Sequence, residues 1–151
     1  TTTPGKTKGI NMTRIKVCFT LLIALPLLLA GCGSPSPSAL PDDDVLALAS
    51  RLLVSIDEGD YTNFLADFSE DMVAAFPETA FNDLREMLQS ASGTFMTAGK
   101  LELTNNQDYA IYRIRCSYSL EDVMVTLVFK VDGTLVEGLY FDSTNLRAAS
   151  K

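Results

Sequence analysis

Between Tyr109 and Val131 the chain alternates with a period of two, and that alternation limits the fold more than any other stretch. Ala110, Tyr112, Ile114, Cys116, Tyr118 and Leu120 take one side, while Arg113, Arg115, Ser117 and Ser119 take the other. This is the spacing of a strand with one packed face and one wetter face. After the polar break Glu121-Asp122, the residues Val123, Val125, Leu127, Phe129 and Val131 repeat it. Two further strands flank this pair. Phe95 and Thr97, continued by Leu101 and Leu103, precede it, and Gly99 marks a bulge or bend among them. Leu135 to Phe141 follow Asp132-Gly133, a strong hairpin signal. The segment from Thr94 to Asp142 is therefore predicted to be four antiparallel strands, with the chain polar and frayed beyond Asp142.

The residues before this segment have helical spacing. Val45, Leu46, Leu48, Ala49, Leu52, Leu53 and Ile56 form one apolar stripe, with Asp42-Asp43-Asp44 at its start and Glu58-Gly59-Asp60 at its end. Asp60 is placed to cap a second helix carrying Tyr61, Phe64, Leu65 and Phe68. A short turn through Met72, Val73 and Phe76 leads to Pro77 and Glu78. These open a third helix, for which Phe81, Leu84, Arg85, Leu88 and Ala91 give the spacing, with Met87 filling beside them. Stripes on one side only require a partner, and the sheet is the one available.

The first 40 residues have a different logic. Residues 1–11 read as an upstream extension. Met12 to Lys16 is a short basic start, and Val17 to Leu29 is apolar, interrupted by Pro26. Together, residues 12–31 have the build of a secretory signal and fall short of the ~20 residues a bilayer span wants. Residues 32–43 are a Pro/Ser-rich tether, which stays extended and does not pack. The folded domain is expected over 44–142, with a polar tail at 143–151. Leu29-Ala30-Gly31-Cys32 resembles the lipobox of bacterial lipoproteins. That resemblance implies that the Cys32 thiol receives diacylglycerol and that cleavage leaves it as an acylated first residue. A lipid-anchored, extracytoplasmic domain follows, in either a one-membrane or a two-membrane cell. An ordinary secreted chain cut near Ala30 and a single-pass anchor are the alternatives.

Charge and composition exclude several classes of function. Of 12 basic residues four precede Cys32 and no acidic one does, which leaves 8 against 19 in the rest of the chain, a balance of −11. A body so acidic is a poor partner for nucleic acid. Histidine is absent, which removes the commonest general base and metal ligand. No cofactor or metal is expected, since the methionines are scattered and Asp42-Asp43-Asp44 lacks the spacing of a calcium loop. With Cys18 and Cys32 in the leader, only Cys116 belongs to the body. Its position on an apolar strand face favours a buried, inert thiol.

Helices followed by antiparallel strands are an α+β pattern. In that order, Ile56-Asp57-Glu58-Gly59-Asp60-Tyr61, the phenylalanines at 64 and 68, the helix up to Gly93 and Asp132 to Leu139 resemble the NTF2-like, or cystatin-like, superfamily. They are more closely similar to the small DUF3887-type domains. The resemblance implies an NTF2-like cone, with N-terminal helices packed on a curved antiparallel sheet around a pocket, and in many members a homodimer. Pocket candidates are Tyr112, Tyr118, Tyr140 and Glu137. A non-catalytic module would use them to hold a small ligand or an envelope protein. The alternative is an isomerase or lyase with a carboxylate base in the cone, drawn from Asp67, Asp71 and Glu137, beside a tyrosine hydroxyl.

Overall fold

The computed structural model describes residues 39–149. The upstream extension, the leader, Cys32 and most of the tether lie outside the described residues. Helix α1 (Asp42–Glu58) opens the domain, followed by α2 (Tyr61–Leu65), α3 (Glu70–Ala75) and α4 (Glu78–Ala91). Strands β1 (Phe95–Asn105), β2 (Tyr109–Tyr118), β3 (Asp122–Lys130) and β4 (Val136–Asp142) come next, and α5 (Thr144–Ala149) closes the chain. Polar composition beyond Asp142 concealed α5, because a single apolar residue, Leu146, buries it.

The helix ends follow the local chemistry. Three aspartates occupy the first turn of α1, where they meet the positive helix end without making a side-chain cap bond. Gly59, left-handed at φ 77°, ends it. The Asp60 carboxylate accepts the Asn63 amide at 3.0 Å to start α2, and Ser69 Oγ accepts from Met72 to start α3.

The sheet is a plain meander in the order β1-β2-β3-β4, antiparallel throughout. Its first and last strands stay apart, so it is neither closed nor curled. The expected NTF2-like cone is therefore not formed. The reason lies in the middle of the sheet. Strands β2 and β3 pair without interruption from Tyr109↔Lys130 to Ser117↔Asp122. Register shifts occur only against the outer strands, between Phe95 and Thr97, Ala98 and Leu101, and Val128 and Phe129. Bulges bend a sheet where they sit, and the central pair has none.

One face of the sheet packs against the helices. Ala110, Tyr112, Ile114, Cys116, Tyr118, Val123, Val125, Leu127 and Phe129 are buried there, against Leu48, Leu52, Leu53, Ile56, Phe64, Phe81 and Leu88. Phe64 anchors the helical side, with ring centroids 4.8 Å from Phe68 and 4.9 Å from Phe81. Tyr112 stands edge-on to Phe129 at 5.6 Å. Leu120, assigned by alternation to this face, lies past the end of β2 and is exposed.

Candidate functional site

The four pocket candidates do not come together. Tyr112 is fully buried in the core, and its hydroxyl donates to the Leu40 carbonyl at 2.8 Å. It thereby fixes the point where the chain enters α1. Burial raises its pKa, the nearby Asp42 adds to the rise, and the bond to Leu40 opposes it. Tyr118 is buried beside Phe95, with ring centroids 5.7 Å apart, and burial raises its pKa as well. Both rings fill the interface between the two layers.

Glu137 and Tyr140 belong to the other side. Val136 pairs with Phe129 and Gly138 with Val128, so the register slips by one residue and Glu137 is the extra one. Beyond the slip, Leu139 opposite Leu127 and Phe141 opposite Val125 face the core, while Gly138 and Tyr140 face away. Alternation through Leu135 and Leu139 allows Glu137 an inward place or plain exposure near the strand edge, and the slip puts it on the outer side. A bulge is invisible to that count, because it adds a residue without changing composition.

The described interior offers no base for proton transfer. Its buried polar residues are four serines, Ser55, Ser69, Ser92 and Ser143. Asp67 lies at the surface in an ion pair with Arg51, and Asp71 is exposed on α3. The arrangement expected of a cone enzyme, a carboxylate beside a tyrosine hydroxyl in an apolar pocket, is absent from the described residues.

What remains open among the described residues is the far face of the sheet, which none of the described helices covers. Registered rows run across it. Tyr109 pairs with Lys130, Ile111 with Val128 and Gly138, Arg113 with Thr126 and Tyr140, and Arg115 with Met124 and Asp142. Among the described residues, Tyr109 and Tyr140 are the only exposed aromatic side chains, at 37% and 64%. They border a hollow of about 280 Å³ lined by Asn106, Ile111, Val128, Glu137 and Gly138. Glu137 is ion-paired with Lys130 at 2.8 Å. The bond from Lys130, aided by one from Ser69, holds its carboxyl below the usual glutamate range against partial desolvation. Asn106 Oδ1 accepts from the Asp108 and Tyr109 amides at 3.1 and 2.8 Å, which leaves its NH2 outside these bonds. Farther along, Arg115 lies 3.8 Å from Asp122, and Glu102 bonds to Lys100 with Arg113 nearby.

A second hollow, of about 320 Å³, lies on the helical side between Ser50, Arg51, Val54, Glu58 and Asn63. Two of its charged groups are engaged by neighbours, Arg51 with Asp67 and Asp60 with Asn63. The sheet-side hollow was missed in the sequence because its residues come from three strands and a turn. The signal available was Tyr109, a large ring at the outward parity of the clearest strand.

No helix among the described residues is long and apolar enough to cross a membrane. Nothing among curated proteins or among solved structures matches the chain. A family model described as a protein of unknown function, DUF3887, matches residues 49–137, from the middle of α1 to the bulge in β4. That span holds the helical layer from the middle of α1 through α4, strand β1, the central strand pair and most of the hollow's lining. The chain belongs to the DUF3887 family of proteins of unknown function.

Proposed function

We propose that the protein is a lipid-anchored extracytoplasmic module that binds without catalysis, through the uncovered face of its sheet. The observation that carries the binding half is the contrast between the two faces. The helix-side face is filled by core side chains with no acid among them. The far face carries both exposed aromatic rings and a hollow between them. Concave, partly apolar surface with a few polar groups is the chemistry of recognition. Reaction at a buried base would need a group the described interior lacks. The anchoring half rests on the basic start, short apolar core and Leu29-Ala30-Gly31-Cys32.

A photo-crosslinking residue placed at Tyr140 tests the binding half in intact cells, with Val54 on the exposed helical side as the reference position. Adducts from position 140, and few from position 54, are the expected result, with a small ligand, an envelope protein or a second copy told apart by adduct mass. Equal labelling from the two positions would overturn the assignment of this face.

A further inference from the structure

The hollow beside Tyr109 and Tyr140 has a chemistry narrow enough to name a ligand class. Its floor is the row Ile111, Val128 and Gly138, which lies between the row of Tyr109 and the row of Tyr140. Gly138 puts no side chain on that floor, and the Tyr140 ring covers its backbone. A Cβ there would meet Tyr140 Cε2 and Val128 Cβ at 3.3 Å each, so the Tyr140 ring leans over the glycine backbone. The hollow thus has an aromatic ring on either side of a small apolar floor.

Its polar groups divide into engaged and unengaged. The Glu137 carboxylate and the Lys130 ammonium neutralise each other. A charged ligand finds no unmatched opposite charge there. The Tyr109 and Tyr140 hydroxyls and the Asn106 NH2 have no hydrogen-bond partner among the described residues. Neutral donors at the rim, flat rings and a small apolar floor suit a ligand with one C–H face and a ring of hydroxyls. A pyranose has that build. Its axial C–H groups lie on a phenol ring, and its equatorial oxygens take hydrogen bonds from the rim. About 280 Å³ is at the small end for a ligand site, enough for one sugar unit of a chain that runs on across the open face.

We infer that this hollow binds a neutral hexopyranose unit of an envelope glycan. The inference rests on the reading of the domain as an extracytoplasmic binding module and gives that module its ligand class. The test is NMR titration of the full chain in detergent micelles with two probes, the tetramer of β-1,4-linked N-acetylglucosamine and the tetramer of β-1,4-linked glucose. Saturable shifts at Tyr109, Ile111, Gly138 and Tyr140 with either tetramer are expected. Tyr140→Ala and Tyr109→Ala should each weaken binding about fivefold, the worth of one aromatic contact. Val54→Ala, on the exposed helical side, should leave it unchanged, and unaltered amide spectra elsewhere would show that each variant is folded. No saturable shift with either tetramer, or shifts that survive both tyrosine substitutions, would overturn the inference. Failure there, with position 140 still giving selective crosslinks in cells, would leave the module reading standing with a different ligand.

Discussion

Cys116 shows how much one position can settle. It lies in β2 between Ile114 and Tyr118, fully buried, and desolvation, helped by the negative charge of Asp122, pushes its thiol up to about 12. At pH 8 the thiolate that reacts is therefore scarce as well as hidden. Native protein with Cys32 acylated should fail to label at Cys116 with a thiol reagent over hours and should label fully once unfolded. Labelling of the native protein at the rate of a small free thiol would contradict that burial. Alternation alone located this residue correctly, as it did Ile114 and Tyr112, because the face of a strand side chain depends only on parity. Parity says nothing about volume. It put Tyr112 and Tyr118 on the inner face, but could not tell a lined pocket from a filled core. Closeness of the packed rings, with Tyr112 at 5.6 Å from Phe129, decides for the core.

At the scale of elements, the turn between β2 and β3 ties both ends of the helical layer to the sheet. The Glu121 carboxylate accepts from the Ser92 hydroxyl at 2.8 Å, the Ser143 hydroxyl at 2.6 Å and the Asn145 amide at 3.2 Å. One side chain thereby joins the end of α4 to the start of α5. Partial desolvation pushes its pKa up, but the bonds from Ser143, Ser92 and Asn145 outweigh this and hold it below the usual glutamate value. A carboxyl depressed by folding adds stability above its unfolded pKa and loses it as pH falls through the folded one. Glu121→Ala should cost about 1–3 kcal/mol at pH 7, since it strands two buried serine hydroxyls. The gap between wild type and variant should shrink as pH falls below the glutamate range. Denaturant melts at pH 7 and pH 3 would show it, and a gap that does not change with pH would refute the role of the charge. The sequence marked Glu121-Asp122 only as a polar break. Its partners lie 29 and 22 residues away, beyond anything a local pattern records. The open sheet was hidden for a related reason. Strand order and length were readable from the turns, but curvature depends on where bulges fall, and these fall at the outer strands.

For the whole molecule, the charge is divided between the layers. Residues 42–91 carry 12 acidic and two basic side chains, whereas residues 94–149 carry seven and five. The helical layer is thus the strongly negative side, and the sheet, with Arg113 and Arg115 on its open face, is close to balanced. An acidic domain is repelled by anionic lipid and does not stay at such a surface through its own charge. The anchor proposed at Cys32 would supply the hold on a membrane that the charge of the domain does not. Acyl chains contribute about 0.8 kcal/mol per buried methylene, and more than one chain is needed for stable anchoring. The geometry of the domain limits how far it then stands off. Tyr112 holds the Leu40 carbonyl at 2.8 Å, and eight residues from Cys32 to Leu40 reach at most about 28 Å. The hollow lies at the same end of the sheet as Tyr112, near the turn that holds Asn106. The protein should therefore fractionate with membranes in high salt, which removes peripheral proteins but not acylated ones. Cys32→Ala should release it or leave its leader uncut. Intact mass of protein purified from its own membrane should correspond to a chain beginning at Cys32 with acyl groups attached. A mature chain that begins elsewhere, without acyl mass, would remove the anchor from the proposal.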